Sequence, residues 1–263
     1  MATVTFLGSG DAVSSGGRFQ ACILVSSGQR RILLDCGASS LVALKRERVD
    51  PATIDMIFVS HLHGDHFAGI PFVVLDGQLA HRSAPLTIAG PHDVERRVRA
   101  TMIDLYPGFA TEPLRFPLAF VELAADEERD VGDIPARAWS VPHDPLSNPL
   151  ALRLDVGAAS IGYSGDTAWT PALAAVADGA DLFICEAQTM TPKARIHVSY
   201  AEVLAHRAEL RAKRIVLTHL GTDVIAAERL ELERASDGMT IELGEKEGPA
   251  PPRGTGPHRA SVR

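Results

Sequence analysis

Apolar positions along the chain fall into two patterns. Short runs closed by Gly, Pro, Asp or Ser predict strands, and longer stretches with apolar residues every three or four positions predict helices. Residues 4–10 (VTFLGSG), 21–27 (ACILVSS) and 31–37 (RILLDCG) read as strands, the first two joined by a Gly/Ser-rich loop. Residues 40–48 read as a short helix, and Asp50-Pro51 restarts the chain. Residues 54–60 (IDMIFVS) form a continuous apolar run, the mark of a strand buried on both faces. A helix with an early Pro71 is predicted over 67–80, and an amphipathic one over 92–106, stopped by Pro107-Gly108. Strands are predicted at 85–90, 117–123, 136–141, 181–187 and 214–221, and a hairpin joins 150–156 to 159–164. Pro171 opens a short helix with Thr170 as its cap. Ser199 and Glu202 have the spacing of a capping box for a helix over 199–211.

This rhythm predicts one α/β domain over residues 1–244, with two sheets face to face and helices outside. The segment 245–263 is rich in Pro, Gly and charge and predicts a mobile tail. Hydrophobic residues make up 46% of the 263 and net charge is −7, so no general attraction to phosphate backbones is expected. Neither a leader-like start nor a bilayer-length apolar run is present, and the three cysteines are odd in number and far apart. These features predict a cytoplasmic protein with no membrane contact.

Candidate chemistry concentrates in residues 60–69, SHLHGDHFAG. His61, His63, Asp65 and His66 supply imidazole and carboxylate donors directly after the buried run, a pattern suited to divalent metals. In an extended loop, His61 and His63 point the same way. Gly64 lets the chain bend. Three more donors close predicted strands: His143, Asp166 and His219. Strand ends are where α/β proteins gather their sites. Gly8-Ser9-Gly10-Asp11-Ala12 begins like a dinucleotide fingerprint, but Val13 holds the third glycine position and a strand follows, so that reading is rejected.

The set LLDCG, SHLHGDH, His143, GDT and LTH resembles the metallo-β-lactamase superfamily of metal-dependent hydrolases. The resemblance extends to about residue 243 and implies a four-layer αββα sandwich with two divalent ions. Zinc is the default, with manganese or iron as options. Carried over, His61, His63 and His143 hold one ion. Asp65, His66 and His219 hold the other, and Asp166 bridges them. Asp35 is expected behind the site, steering ligand histidines. The implied nucleophile is a hydroxide shared by the ions and oriented by Asp65.

Within the superfamily, Asp166 stands where zinc lactamases have Cys, and no flavin-binding partner domain is present. DLFICEAQ and RIHVSYAEV resemble paired motifs of ribonuclease Z-like phosphodiesterases, which implies that His197, steered by Glu186, protonates the leaving alkoxide. The basic arm that grips tRNA is missing: Asp166 follows His143 by 23 positions filled by a plain hairpin. The expected substrate is therefore a small or cyclic phosphodiester and not tRNA, with sulfate-ester or lactone hydrolysis at the same site as the alternative. A non-catalytic metal-containing binding protein is a third reading. Relatives are commonly homodimers. Ser9, Asp11 and Arg18 in the opening loop could touch substrate.

Overall fold

A computed structural model of the chain describes residues 1–193 and 195–244; the predicted tail lies outside them. The first half runs β1 (Ala2–Gly8), β2 (Cys22–Ser27), β3 (Arg30–Leu34), α1 (Ser40–Arg46), β4 (Met56–Phe58), α2 (Gly64–Phe67), α3 (Ile70–Leu79), β5 (Leu86–Gly90), α4 (Val94–Leu105), α5 (Pro107–Ala110) and β6 (Leu118–Glu122). The second runs β7 (Glu128–Val131), β8 (Ile134–Ser140), β9 (Leu150–Val156), β10 (Ala159–Tyr163), α6 (Ala172–Ala177), β11 (Leu182–Glu186), α7 (Tyr200–Ala205), β12 (Ile215–Thr218), α8 (Thr222–Ala226), β13 (Glu233–Arg234) and β14 (Met239–Leu243). Two seven-stranded sheets result, in the orders β14-β1-β2-β3-β4-β5-β6 and β13-β12-β11-β10-β9-β8-β7.

The alternation of side chains along each strand explains the layers. In β4, Met56 and Phe58 enter the core between the sheets, whereas Ile57 packs under the helices with residues of α1, α3 and α4. In β11, Leu182 and Ile184 face the first sheet, and Phe183 and Cys185 face α6 and α7. Strands covered on both sides need apolar residues at every position, hence the uninterrupted runs. The molecule is thus a four-layer αββα sandwich.

Strands β3 to β6 are parallel, as are β10 to β13. Their carboxyl ends reach one edge, where Asp35, His61, Asp166 and His219 follow β3, β4, β10 and β12, and Glu186 is the last residue of β11. Some predicted elements differ. The 54–60 run leaves the sheet early, because Ser60 N–H donates to Asp35 Oδ1 (2.7 Å) instead of a neighbouring strand. The 67–80 helix splits at Gly69, into α2 carrying Asp65 and His66, and α3. The 199–211 helix stops at Ala205, after which Arg207 N–H bonds the Leu204 carbonyl in a tighter turn. Pro171 rather than Thr170 takes the N-cap position of α6, although Thr170 Oγ1 accepts from Ala172 N–H (3.5 Å) at the start of that helix. Among the described residues no helix is long and apolar enough to cross a membrane.

Candidate metal centre

The loop leaving β4 and the turn of α2 deliver four donors to the sheet edge. Close packing makes this possible: a Cβ on Gly37 would lie 2.2 Å from the Asp65 carbonyl oxygen, and one on Gly69 would lie 2.1 Å from that of Gly37. Only glycine allows the two loops to approach this closely. His219 and Asp35 both sit in the left-handed region, at φ 52° and 59°. For non-glycine residues that is strain, of the kind that concentrates at functional sites.

The donors form two groups. His61 Nε2, His63 Nδ1 and His143 Nε2 converge, with His63 Nδ1 3.2 Å from the first and 3.1 Å from the second. Asp65, His66, Asp166 and His219 form the other: His66 Nε2 is 3.2 Å from Asp65 Oδ2, and His219 Nε2 is 3.3 Å from both Asp65 Oδ2 and Asp166 Oδ2. Asp166 Oδ2 also lies 3.8 Å from His61 Nε2 and 3.9 Å from His143 Nε2, so this carboxylate stands between the groups. All seven predicted ligands are therefore brought together.

In four of the five rings the other nitrogen has a partner that leaves the inward lone pair free, whereas His219 Nδ1 is buried without a hydrogen-bond partner. His66 Nδ1–H donates to Asp35 Oδ2 (2.6 Å), and His143 Nδ1–H to the Ile196 carbonyl (2.8 Å). His61 Nδ1 meets Ser60 Oγ (3.0 Å), and His63 Nε2–H donates to Asp144 Oδ2 (3.1 Å). Asp35 also accepts from Ser60 Oγ (2.8 Å) and the Tyr163 hydroxyl (2.7 Å). Sequence reading placed Asp35 here but missed Ser60, Asp144 and Tyr163. The adjacency of Asp144 to His143 was the one signal available for any of them.

A divalent cation fits these donors. Zinc holds nitrogen and oxygen at roughly 2.0–2.2 Å, so tetrahedral ligands stand about 3.3 Å apart. The spacings above match. His66 Nε2 and Asp166 Oδ1 are buried without hydrogen-bond partners and face each other at 3.4 Å, which leaves both lone pairs for a cation.

The electrostatics agree. Burial lowers the His61 and His143 imidazoles, keeping them neutral and able to ligate. Burial pushes the Asp65 and Asp166 carboxyls up, but His66 and His219 beside them hold both well below the usual carboxylate range. For His66 and His219 burial acts downward and is overcome by Asp166 and the neighbouring carboxylates, so both are raised.

His197 lies at the mouth, its side chain 12% exposed, with Nδ1 3.1 Å from Glu186 Oε2. Glu186 is fully buried and accepts from Thr167 N–H. Burial, reinforced by Asp166, pushes the Glu186 carboxyl up, and burial pushes the His197 imidazole down. Ser9 and Arg18 are tied to one another and to the chain: Arg18 Nη1 donates to Ser9 Oγ and the Ala235 carbonyl, and Ser9 donates to Asp237. His206 stacks on Trp169, ring centroids 3.8 Å apart, away from the donors. All three cysteines are buried free thiols, and burial raises Cys22 to about 12, which makes them packing residues.

Comparison with known proteins agrees with this geometry. A ribonuclease Z of Mycobacterium bovis is 26% identical over 243 residues, covering 83% of this chain and 86% of its own. The solved structure of the short form of human tRNase Z superposes with a TM-score of 0.76 at 25% identity, over 92% of this chain and 99% of that one. A diphosphatase of the PhnP family gives a TM-score of 0.73 at 18% identity, over 93% and 99%, and shares the fold. The chain thus has the metallo-β-lactamase fold and is related to the ribonuclease Z hydrolases. Residues 2–236 match the family described as anti-Pycsar protein Apyc1, and the chain belongs to that family.

Proposed function

We propose that this chain is a metal-dependent hydrolase of small or cyclic phosphodiesters, with two ions in the paired donor groups. His61, His63 and His143 would hold one ion, and Asp65, His66 and His219 the other, with Asp166 shared. Bound divalent ions, zinc by preference, supply Lewis acidity toward phosphoryl oxygens and lower the pKa of water.

The chain's own residues do the rest. Asp65 orients the attacking water. The oxygen of that water bonds to phosphorus, and the bond from phosphorus to the ester oxygen breaks. His197 gives its proton to the departing alkoxide, and Glu186 holds the ring by Nδ1. The proton lost by water leaves to solvent. Opposed shifts on Glu186 and His197 make their proton easy to move, and an anionic phosphodiester draws it onto the imidazole.

The observation that carries this reading is the His197–Glu186 pair standing beside both donor groups. Residues 144–165 hold only a 3-10 turn, β9 and β10, with no room for a tRNA-gripping arm, which supports a small substrate. The test runs bis-p-nitrophenyl phosphate, a 2′,3′-cyclic nucleotide, p-nitrophenyl sulfate and a homoserine lactone side by side on zinc-loaded protein. Turnover confined to the diesters is expected. Preference for the sulfate or the lactone overturns the reading.

A further inference from the structure

We propose that Glu186, His197 and His219, with Asp166 beside them, form a third site for a divalent cation, filled only when zinc is in excess, and that an ion there switches off the proton donor. The effect on turnover rests on the phosphodiesterase reading above; the site itself does not.

These four residues make a cluster next to the two ligand groups. Each offers a ligand atom, and all of these lie within 4.8 Å of one another. His197 Nδ1 is 3.1 Å from Glu186 Oε2 and 3.8 Å from Asp166 Oδ2, and His219 Nδ1 is 3.8 Å from the same Glu186 oxygen. Tetrahedral zinc ligands stand about 3.3 Å apart, so small shifts of these side chains would close a cage.

A second observation points to a cation. His219 Nδ1 is buried without a hydrogen-bond partner, in a residue only 2% exposed. Its distance to Glu186 Oε2 is too long for a hydrogen bond. A buried polar atom left unpaired costs free energy. The outward nitrogens of His61, His63, His66 and His143 all have partners, so His219 is the exception among the ligand rings. Thr167 N–H binds Glu186 Oε1, which leaves Oε2 for the ion. Two imidazoles and two carboxylates suit zinc better than magnesium, which asks for six oxygens. Entry is from the mouth, where the His197 side chain is 12% exposed. Asp166 and His219 would be shared with the ions already held, and like charges repel, so this ion is the weakest of the three.

The ion acts on His197 through Nδ1. A ring whose Nδ1 lone pair holds a cation keeps a single proton, on Nε2, and holds it far more firmly than an imidazolium does. The ion also takes the Glu186 oxygen that steered the ring. Protons displaced from the Nδ1 atoms of His197 and His219 leave to solvent. His197 then stays in place and yields no proton to an alkoxide.

The experiment counts zinc per chain by equilibrium dialysis, from limiting to excess zinc, in wild type, Glu186→Gln and His197→Ala. At excess zinc each variant should hold one ion fewer than wild type, and at limiting zinc the counts should agree. Melting curves check that both variants are folded. Equal counts in all three proteins at excess zinc overturn the site. In wild type the same excess should lower turnover of a 2′,3′-cyclic nucleotide roughly 10²-fold or more and leave bis-p-nitrophenyl phosphate nearly untouched, since its leaving group needs no proton. Equal inhibition of both diesters overturns the action on the donor. A wild type that turns over neither diester defeats the phosphodiesterase reading, while the ion count still decides the site.

Discussion

His63 shows how a single carboxylate decides which ring nitrogen faces the other donors. Its Nε2–H is taken by Asp144, so Nδ1 turns inward toward His61 and His143. Asp144→Ala should free the ring to rotate and weaken Co²⁺ binding roughly 10–100-fold, read from the visible absorption of the bound ion. An unchanged titration curve would remove Asp144 from the site. His197→Ala should cost roughly 10²–10⁴-fold on a cyclic nucleotide, whose alkoxide leaves poorly, and far less on p-nitrophenyl esters, whose leaving group needs no proton. Equal losses on both would exclude His197 as the acid. The candidate donors were legible because His61, His63, Asp65 and His66 announce themselves by type and spacing. Asp144 and Tyr163 were not. The first acts on a histidine 81 residues away and the second on an aspartate 128 residues away, and beyond the place of Asp144 next to His143 one sequence carries no trace of such approaches.

Elements position these side chains through their ends. The predicted capping box of α7 is present: Glu202 N–H donates to Ser199 Oγ (3.3 Å), and Ser199 N–H to Glu202 Oε2 (2.9 Å). It fixes the backbone two residues after His197. Ser199→Ala should cost about 1 kcal/mol, seen as a lower urea midpoint with an unchanged m-value. Gly69→Ala should be worse. Its Cβ has no free space against the Gly37 carbonyl, so α2 must shift, at about 3 kcal/mol or more and with loss of metal binding. A wild-type urea curve for that variant would mean the loops are not locked together. Strands buried on both faces were easy to read, because every position must be apolar. β14 was missed because only Ile241 and Leu243 are buried while Thr240 and Glu242 face solvent, too faint an alternation to distinguish from a loop. The Glu128–Val131 strand, in which only Val131 is buried, was missed for the same reason.

For the molecule as a whole, folding carries Asp35, Asp65, Asp166 and Glu186 to one nearly dry edge beside the histidines. Without cations the cluster answers that charge with protons. The carboxylates hold His66 well above its ordinary range, and His219 is raised as well, against the downward push of burial. A metal needs the same Nε2 lone pairs, so uptake must expel those protons. The sign follows: affinity should rise with pH until both rings are neutral and fall as acid restores them. Calorimetry of Zn²⁺ binding near pH 7, in buffers of different ionisation heat, should register at least one proton released per chain. Because the donors assemble only in the folded chain, metal at about a hundredfold excess over Kd should add about 2.7 kcal/mol of stability. For a chain of this size that is a rise in Tm of about 5–10 °C, reversed by chelator. Zinc uptake with no proton release and no change in Tm would mean that the ion sits elsewhere, on groups the unfolded chain offers equally well.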